Sequence, residues 1–324
     1  MTLLELENVT KEFGGTNTYF ERLFGGSETV TAVDDISLEI QQGETYGLVG
    51  ESGAGKSTVA NLVTKLHEPT SGTITFEDKN ITTLSRSQKQ RFHQSVQMVF
   101  QTPSASIDPK YSVGDWIEES LIVNTQLDRM ERKERVTEAL ETVNLSQAYR
   151  DHYPDELSGG ELQRVSIATA FVVEPDLVIL DEPVSALDKT IQRDILELLV
   201  RLQDERNVSY LLISHDLSVI QAISDTIGVM YLGELVEEGP ATTVFDTPRH
   251  PYTEILIDAI PSKGGIELPE SFSEEPPSAT EPPAGCSFHP RCPYATTICE
   301  SEAPQQELVD GTHKTSCHHW DELQ

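Results

Sequence analysis

The stretch at residues 50–58, Gly50-Glu51-Ser52-Gly53-Ala54-Gly55-Lys56-Ser57-Thr58, constrains this chain more than any other. An apolar run at residues 45–49 precedes it, and a helix-like pattern follows from Ser57 to about Leu66. A glycine-rich loop joining a buried strand to a helix start at this spacing is a phosphate cradle. The glycines let backbone N–H groups turn inward without a Cβ in the way. Lys56 supplies a point charge for the β- and γ-phosphates, Ser57 a hydroxyl for Mg²⁺, and the helix its positive dipole end. The chain is therefore expected to bind a nucleoside triphosphate with Mg²⁺.

Strand-like segments are expected at residues 3–9, 32–40, 45–49, 72–76 and 96–100. From about residue 102 to 154 the pattern turns helical, with Val136, Leu140 and Val143 on one face of residues 127–145. Another helix is expected from Leu162 to about Val172. Leu177-Val178-Ile179-Leu180 then runs straight into Asp181 and Glu182. A fully apolar strand implies burial on both faces, as in a parallel α/β sheet. A helix at 191–206, a strand at 209–213, a helix at 217–223 and strands at 227–231 and 234–237 complete the pattern. An early loop carries Phe13, Tyr19, Phe20 and Phe24, any one of which could stack on a base.

Hydrolysis of a triphosphate needs more than a cradle: a second Mg²⁺ anchor, a group acting on the attacking water, and a sensor of the γ-phosphate. Asp181, ending a buried strand, suits the Mg²⁺ role, and the adjacent Glu182 suits the general base. Gln101 is placed to touch both Mg²⁺ and the water, and His215 to reach the γ-phosphate. Singly each is an ordinary strand-end polar residue; their order along the chain discriminates.

With LSGGE at 157–161, LDEP at 180–183 and SALD at 185–188, residues 3–260 resemble the ATPase subunit of an ABC transporter. The LSGGQ-type signature is nearly specific to that superfamily, and Glu161 here replaces its usual glutamine. The resemblance implies an α/β fold. It has a P-loop NTPase core with a parallel sheet, an antiparallel β subdomain and a helical signature subdomain at about 102–158. It further implies that Ser158, Gly159 and Gly160 contact ATP held in a second subunit's P-loop. Asp188 would lie at the dimer seam, and Phe13 is the expected adenine-stacking residue.

The C-terminal part narrows the resemblance. His250-Pro251-Tyr252-Thr253 and Gly285-Cys286-Ser287-Phe288-His289-Pro290-Arg291-Cys292-Pro293 are similar to the oligopeptide/dipeptide import ATPases. Residues 261–284, rich in Pro, Ser and Glu, read as a linker after an ATPase domain at 1–260. Residues 285–324 form a small extension holding all four cysteines: Cys286, Cys292, Cys299 and Cys317. Clustered cysteines outside a disulfide-permissive compartment point to a metal site, but the gaps of 5, 6 and 17 residues fit neither zinc-knuckle nor ferredoxin spacing. Spacing alone leaves zinc, iron and unliganded thiols open; the resemblance implies a 4Fe–4S cluster. His289, His318 and His319 are nearby alternative ligands.

The net charge of −31, from 54 acidic against 23 basic residues, repels phosphate backbones and argues against nucleic acid as a partner. The acids are spread along the whole chain, which fits a halophile's surface and predicts stability that rises in molar KCl. No apolar run is long enough to span a bilayer, and the N-terminus lacks a signal-peptide pattern. The expected location is peripheral, at the cytoplasmic face of the membrane. The implied partners are a second ATPase subunit (identical or paralogous), two membrane permeases and an extracellular solute-binding protein. A soluble repair- or translation-type ABC ATPase is the alternative, disfavoured by the single P-loop, the absence of sustained heptads and the acidic charge. A binding-only regulator is weakened because every catalytic position is filled.

Overall fold

The computed structural model describes residues 1–14, 29–103, 107–260, 277–278 and 280–322. Tyr19, Phe20 and Phe24 and most of the linker expected at 261–284 lie outside the described residues. The first strands are β1 (Thr2–Phe13), β2 (Val30–Gln41), β3 (Thr45–Val49), β4 (Ser71–Phe76), β5 (Lys79–Asn80) and β6 (Val96–Val99). There follow β7 (Leu177–Asp181), β8 (Ser209–Ser214), β9 (Thr226–Tyr231) and β10 (Glu234–Pro240), then β11 (Glu307–Asp310) and β12 (His313–Thr315).

They form two sheets. An antiparallel sheet runs β2-β1-β4-β5, and a larger one runs β11-β12-β10-β9-β3-β8-β7-β6. Strands β9, β3, β8, β7 and β6 are mutually parallel. The apolar runs have a direct structural cause. In β7, Val178 and Leu180 enter the core beneath the helices, whereas Leu177 and Ile179 face the core shared with the antiparallel sheet. Tyr210 and Leu212 against Leu211 and Ile213 repeat this division in β8. With both faces covered, alternation disappears and every position of β8 is buried.

The helices follow apolar spacing and caps. Lys189–Arg206 buries Ile195, Leu198, Leu199 and Leu202, one stripe at i, i+3, i+4 and i+7. Arg129–Thr142 starts at Asp128, whose carboxylate accepts the N–H groups of Met130 and Glu131, and buries Val136, Ala139 and Leu140. It packs with Val113–Asn124 beside the helix Gly159–Phe171. The helix after the P-loop, Lys56–Val63, stops short of Leu66, because Lys65 turns into the left-handed region at φ 61°. A helix at Arg86–Ser95 falls where no apolar stripe marks the sequence; its few buried positions, Phe92 and Ser95, are too sparse for a period.

The cysteine segment is continuous with the ATPase sheet, since β12 pairs antiparallel with β10. Its anchor is the buried Glu237, which accepts from His313 Nε2 at 2.7 Å and from the N–H groups of Arg249 at 2.6 Å and His250 at 3.0 Å. His250 caps the helix Pro251–Asp258: its Nδ1 accepts the Tyr252 N–H at 3.1 Å. Complete burial pushes the His250 imidazole down to about 3. A histidine depressed in the folded state favours the fold above its unfolded value near 6.5, and this contribution is lost as pH falls from there toward 3. His250→Asn replaces the Nδ1 acceptor with an amide oxygen that can still cap the helix and does not titrate. Urea unfolding at pH 7 and pH 5 is expected to show the wild type losing about 2 kcal/mol more than the variant.

Candidate functional site

Four parallel strands end along one edge of the large sheet, and each delivers a polar group there. The P-loop follows β3, Gln101 follows β6, Asp181 and Glu182 end β7, and His215 follows β8. Carboxyl ends of parallel strands are where open α/β sheets hold ligands.

The P-loop closes tightly on its surroundings. A Cβ on Gly50 would lie 2.1 Å from the Met230 carbonyl oxygen, and one on Gly55, at φ +105°, 2.2 Å from that of Ala32. Neither position admits a side chain. Lys56 is buried and donates from Nζ to the carbonyls of Gly50 at 2.7 Å and Glu51 at 2.9 Å. Burial lowers its pKa, and the carboxylates of Glu182, Asp181 and Glu51 oppose that shift. Ser57 Oγ stands 3.5 Å from Asp181 Oδ1. Adjacent ligands of an octahedral ion with bonds of about 2.1 Å lie about 3 Å apart, so this oxygen pair fits Mg²⁺ with little movement. Burial, then the neighbouring Glu182, raises the Asp181 pKa.

Glu182 sits between two partners. Gln101 Nε2 donates to its Oε2 at 2.9 Å, and His215 Nδ1 lies 2.8 Å from its Oε1, necessarily as the donor because a carboxylate only accepts. The backbone of Glu182 is left-handed, with φ 48°, a costly conformation for a side chain of this size. The bond from its N–H to the Ile213 carbonyl, at 2.9 Å, holds it there. These three residues, separated by up to 114 positions in the chain, share one hydrogen-bonded unit.

The signature stretch is elsewhere. Ser158 caps the helix Gly159–Phe171, while Glu161 Oε2 accepts from the Ser158 N–H at 2.8 Å and Oγ at 2.6 Å. Tyr149 donates to the other Glu161 oxygen. The Ser158 and Tyr149 hydroxyls lower the Glu161 pKa. Among the described residues, no hydrogen bond or ion pair joins 158–160 to the P-loop. Ser158 and Gly159 are exposed, with helix N–H groups behind them. Asp188 caps Lys189–Arg206 through the N–H groups of Thr190 and Ile191, both at 3.1 Å. Phe13 packs edge-on against His67, with Lys11 Nζ 5.0 Å from its centroid.

Comparisons with known proteins identify the family. The ABC transporter family model matches residues 33–185, and that of the oligopeptide/dipeptide transporter C-terminal region matches 236–299. The oligopeptide transport ATP-binding protein AppF of Bacillus subtilis is 41% identical over 98% of this chain and 97% of its own. The chain belongs to the ATP-binding subunits of the oligopeptide/dipeptide ABC transporter family. The di/tripeptide transport ATP-binding protein DppF of Pseudomonas aeruginosa is likewise 41% identical, over 92% of each chain. Among solved structures, the ATP-binding cassette MJ0796, a dimer in a post-hydrolysis state bound to ADP and Pi, superposes with TM-score 0.64 and 27% identity. That match covers 74% of this chain and 99% of the cassette. This ABC ATPase is thus an ATP-hydrolysing α/β enzyme, and no helix among its described residues is long and apolar enough to cross a membrane.

In this ABC ATPase the four cysteines are thiols lining one pocket together with His250 and the alternative ligands His289, His318 and His319. Burial pushes Cys292 up to about 11 and Cys317 up to about 12. Among the described residues, no three His, Cys, Asp or Glu side chains converge as a single ion requires. Two residues that sequence reasoning left unassigned touch the P-loop: Tyr252 accepts the Glu51 N–H at 2.9 Å, and Arg291 pairs with the Glu51 carboxylate. Both lie in the quoted C-terminal motifs, but nothing in their spacing ties them to a loop some 200 residues earlier.

Proposed function

We propose that this ATPase energises import of oligopeptides, dipeptides or related solutes, working as a pair that closes on ATP beneath two membrane permeases. An extracellular solute-binding protein supplies the cargo, and the ATPase sits at the cytoplasmic face. The carrying observation is the Glu182 carboxylate gripped by Gln101 and His215 beside the Ser57–Asp181 pair. It supports a site in which Lys56 and the P-loop amides bind the phosphates, Glu182 takes a proton from water, and His215 reaches the γ-phosphate. Ser57, Asp181 and Gln101 would hold Mg²⁺, which would supply neutralisation of the phosphate charge. The exposed helix start at Ser158 and Gly159 supports contact with ATP on the partner, with Asp188 near the seam and Phe13 on the adenine. The partner is an identical or a paralogous subunit.

Exposed Ile122, Val123 and Met130, at 57%, 65% and 69%, give the helical segment an apolar surface suited to permease docking. The names of AppF and the two DppF relatives, each a transport ATP-binding protein, support transport over a repair or translation role. Affinity purification from native membranes is expected to bring down two hydrophobic permease subunits and a solute-binding protein. Recovery with ribosomes or DNA-repair factors instead would contradict the reading.

For the cysteine pocket we favour a 4Fe–4S cluster over zinc. Four soft thiol donors in one pocket suit either, and the resemblance to the oligopeptide/dipeptide import ATPases favours the cluster. Anaerobically purified protein is expected to be brown, with absorption near about 400 nm that dithionite bleaches. A colourless protein holding stoichiometric zinc would overturn the cluster.

A further inference from the structure

Glu51 is the one acidic residue within 50–58, a carboxylate in a loop whose ligand is a polyanion. An unpartnered negative charge there would repel a triphosphate across a short distance. The structure surrounds it with compensation. Arg291 Nη1 donates to Glu51 Oε2 at 2.9 Å and Nη2 to Oε1 at 3.0 Å, a two-pronged pairing between residues 240 apart. Arg291 is 3% exposed and also donates to Tyr231 Oη at 3.4 Å. The Glu51 N–H is held as well, by Tyr252 Oη. Side chain and amide of this loop residue are thus both fixed from outside the loop.

The segment that carries Arg291 is itself well anchored. It lies in the single turn His289–Arg291, between Cys286 and Cys292. Phe288, just before it, is buried against Tyr231 and Tyr252, with ring centroids 5.2 Å and 5.3 Å away. Those two tyrosines pack on each other at 4.8 Å. The Cys286 N–H donates to the Cys299 carbonyl at 2.8 Å, which closes the base of the turn. The guanidinium is therefore presented by a fixed support.

We propose that Arg291 is a positioning residue for the nucleotide site, neutralising Glu51 and pinning the first turn of the P-loop from the C-terminal segment. The inference rests on reading residues 50–58 as the nucleotide site. Arg291 acts through Glu51 and touches none of the reacting atoms. Its loss weakens ATP binding and leaves the Glu182 chemistry at saturation intact.

MgATP titration and steady-state ATPase assays on the full chain test this. Arg291→Gln is expected to raise Kd and KM for ATP about tenfold, with kcat changed less than about twofold. Removing both charges, in Glu51→Gln/Arg291→Gln, is expected to return the affinity to within about threefold of wild type, a rescue that general loss of packing would not give. Arg291→Lys, which keeps the charge but not the fork, is expected to bind about threefold more weakly. Wild-type affinity in Arg291→Gln, or a double variant as weak as the single, overturns the proposal. If Arg291→Gln does not fold, wild-type affinity in Arg291→Lys overturns it equally. A wild-type protein that binds no MgATP would instead refute the nucleotide-site reading.

Discussion

Glu182→Gln is expected to lower kcat for ATP at least about 100-fold, the scale of losing a positioned general base. ATP affinity should stay within about threefold of wild type, because the role proposed for Glu182 is on the attacking water and not on the bound nucleotide. The substitution is structurally mild. The glutamine oxygen can still accept from Gln101, and its amide can donate to Nδ1 of the other His215 tautomer. The melting temperature should therefore move by no more than about 3 °C. Binding without turnover also prolongs the closed pair, so gel filtration with MgATP should show this variant as a stable dimer. Normal turnover in Glu182→Gln would contradict its role as base.

Gly159→Asp is expected to abolish turnover to a similar degree by a different route. A Cβ on Gly159 meets nothing in its own chain closer than Leu187 Cδ2 at 3.5 Å, an ordinary contact, so the fold tolerates the change. At Gly160 the corresponding atom would meet Ile191 Cγ2 at 2.8 Å, and a lost activity there would confuse packing with catalysis. The aspartate places a negative charge at the exposed helix start, where the proposal puts the γ-phosphate bound by the partner subunit. The monomer's own P-loop is untouched. Kd for MgATP should match wild type at low protein concentration while kcat falls about 100-fold. Undiminished turnover would remove residues 158–160 from the site.

Much of the fold was legible because burial on both faces leaves apolar runs such as Leu177–Leu180, and because the P-loop and its glycines tolerate few other settings. The convergence of Gln101, Glu182 and His215 was legible through strand order: each follows a parallel strand, so all three must emerge at one edge. Two features were not. The strands β11 and β12 are too short for a readable period, and the pairing of β12 with β10 is anchored by the buried Glu237–His313 contact between residues 76 apart. Arg291 was quoted within a cysteine motif, where a lone arginine carries no period or spacing that names its partner. Long-range ion pairs of this kind leave no local pattern in the chain.

In the proposed dimer, one molecule holds only half of its catalytic site. The decisive measurement is the ATPase rate per subunit of purified protein at saturating MgATP across a hundredfold range of protein concentration. Specific activity is predicted to rise in proportion to concentration at the dilute end and to level off as the pair saturates. A specific activity constant down to the most dilute sample, with the protein monomeric by light scattering there, would contradict the claim.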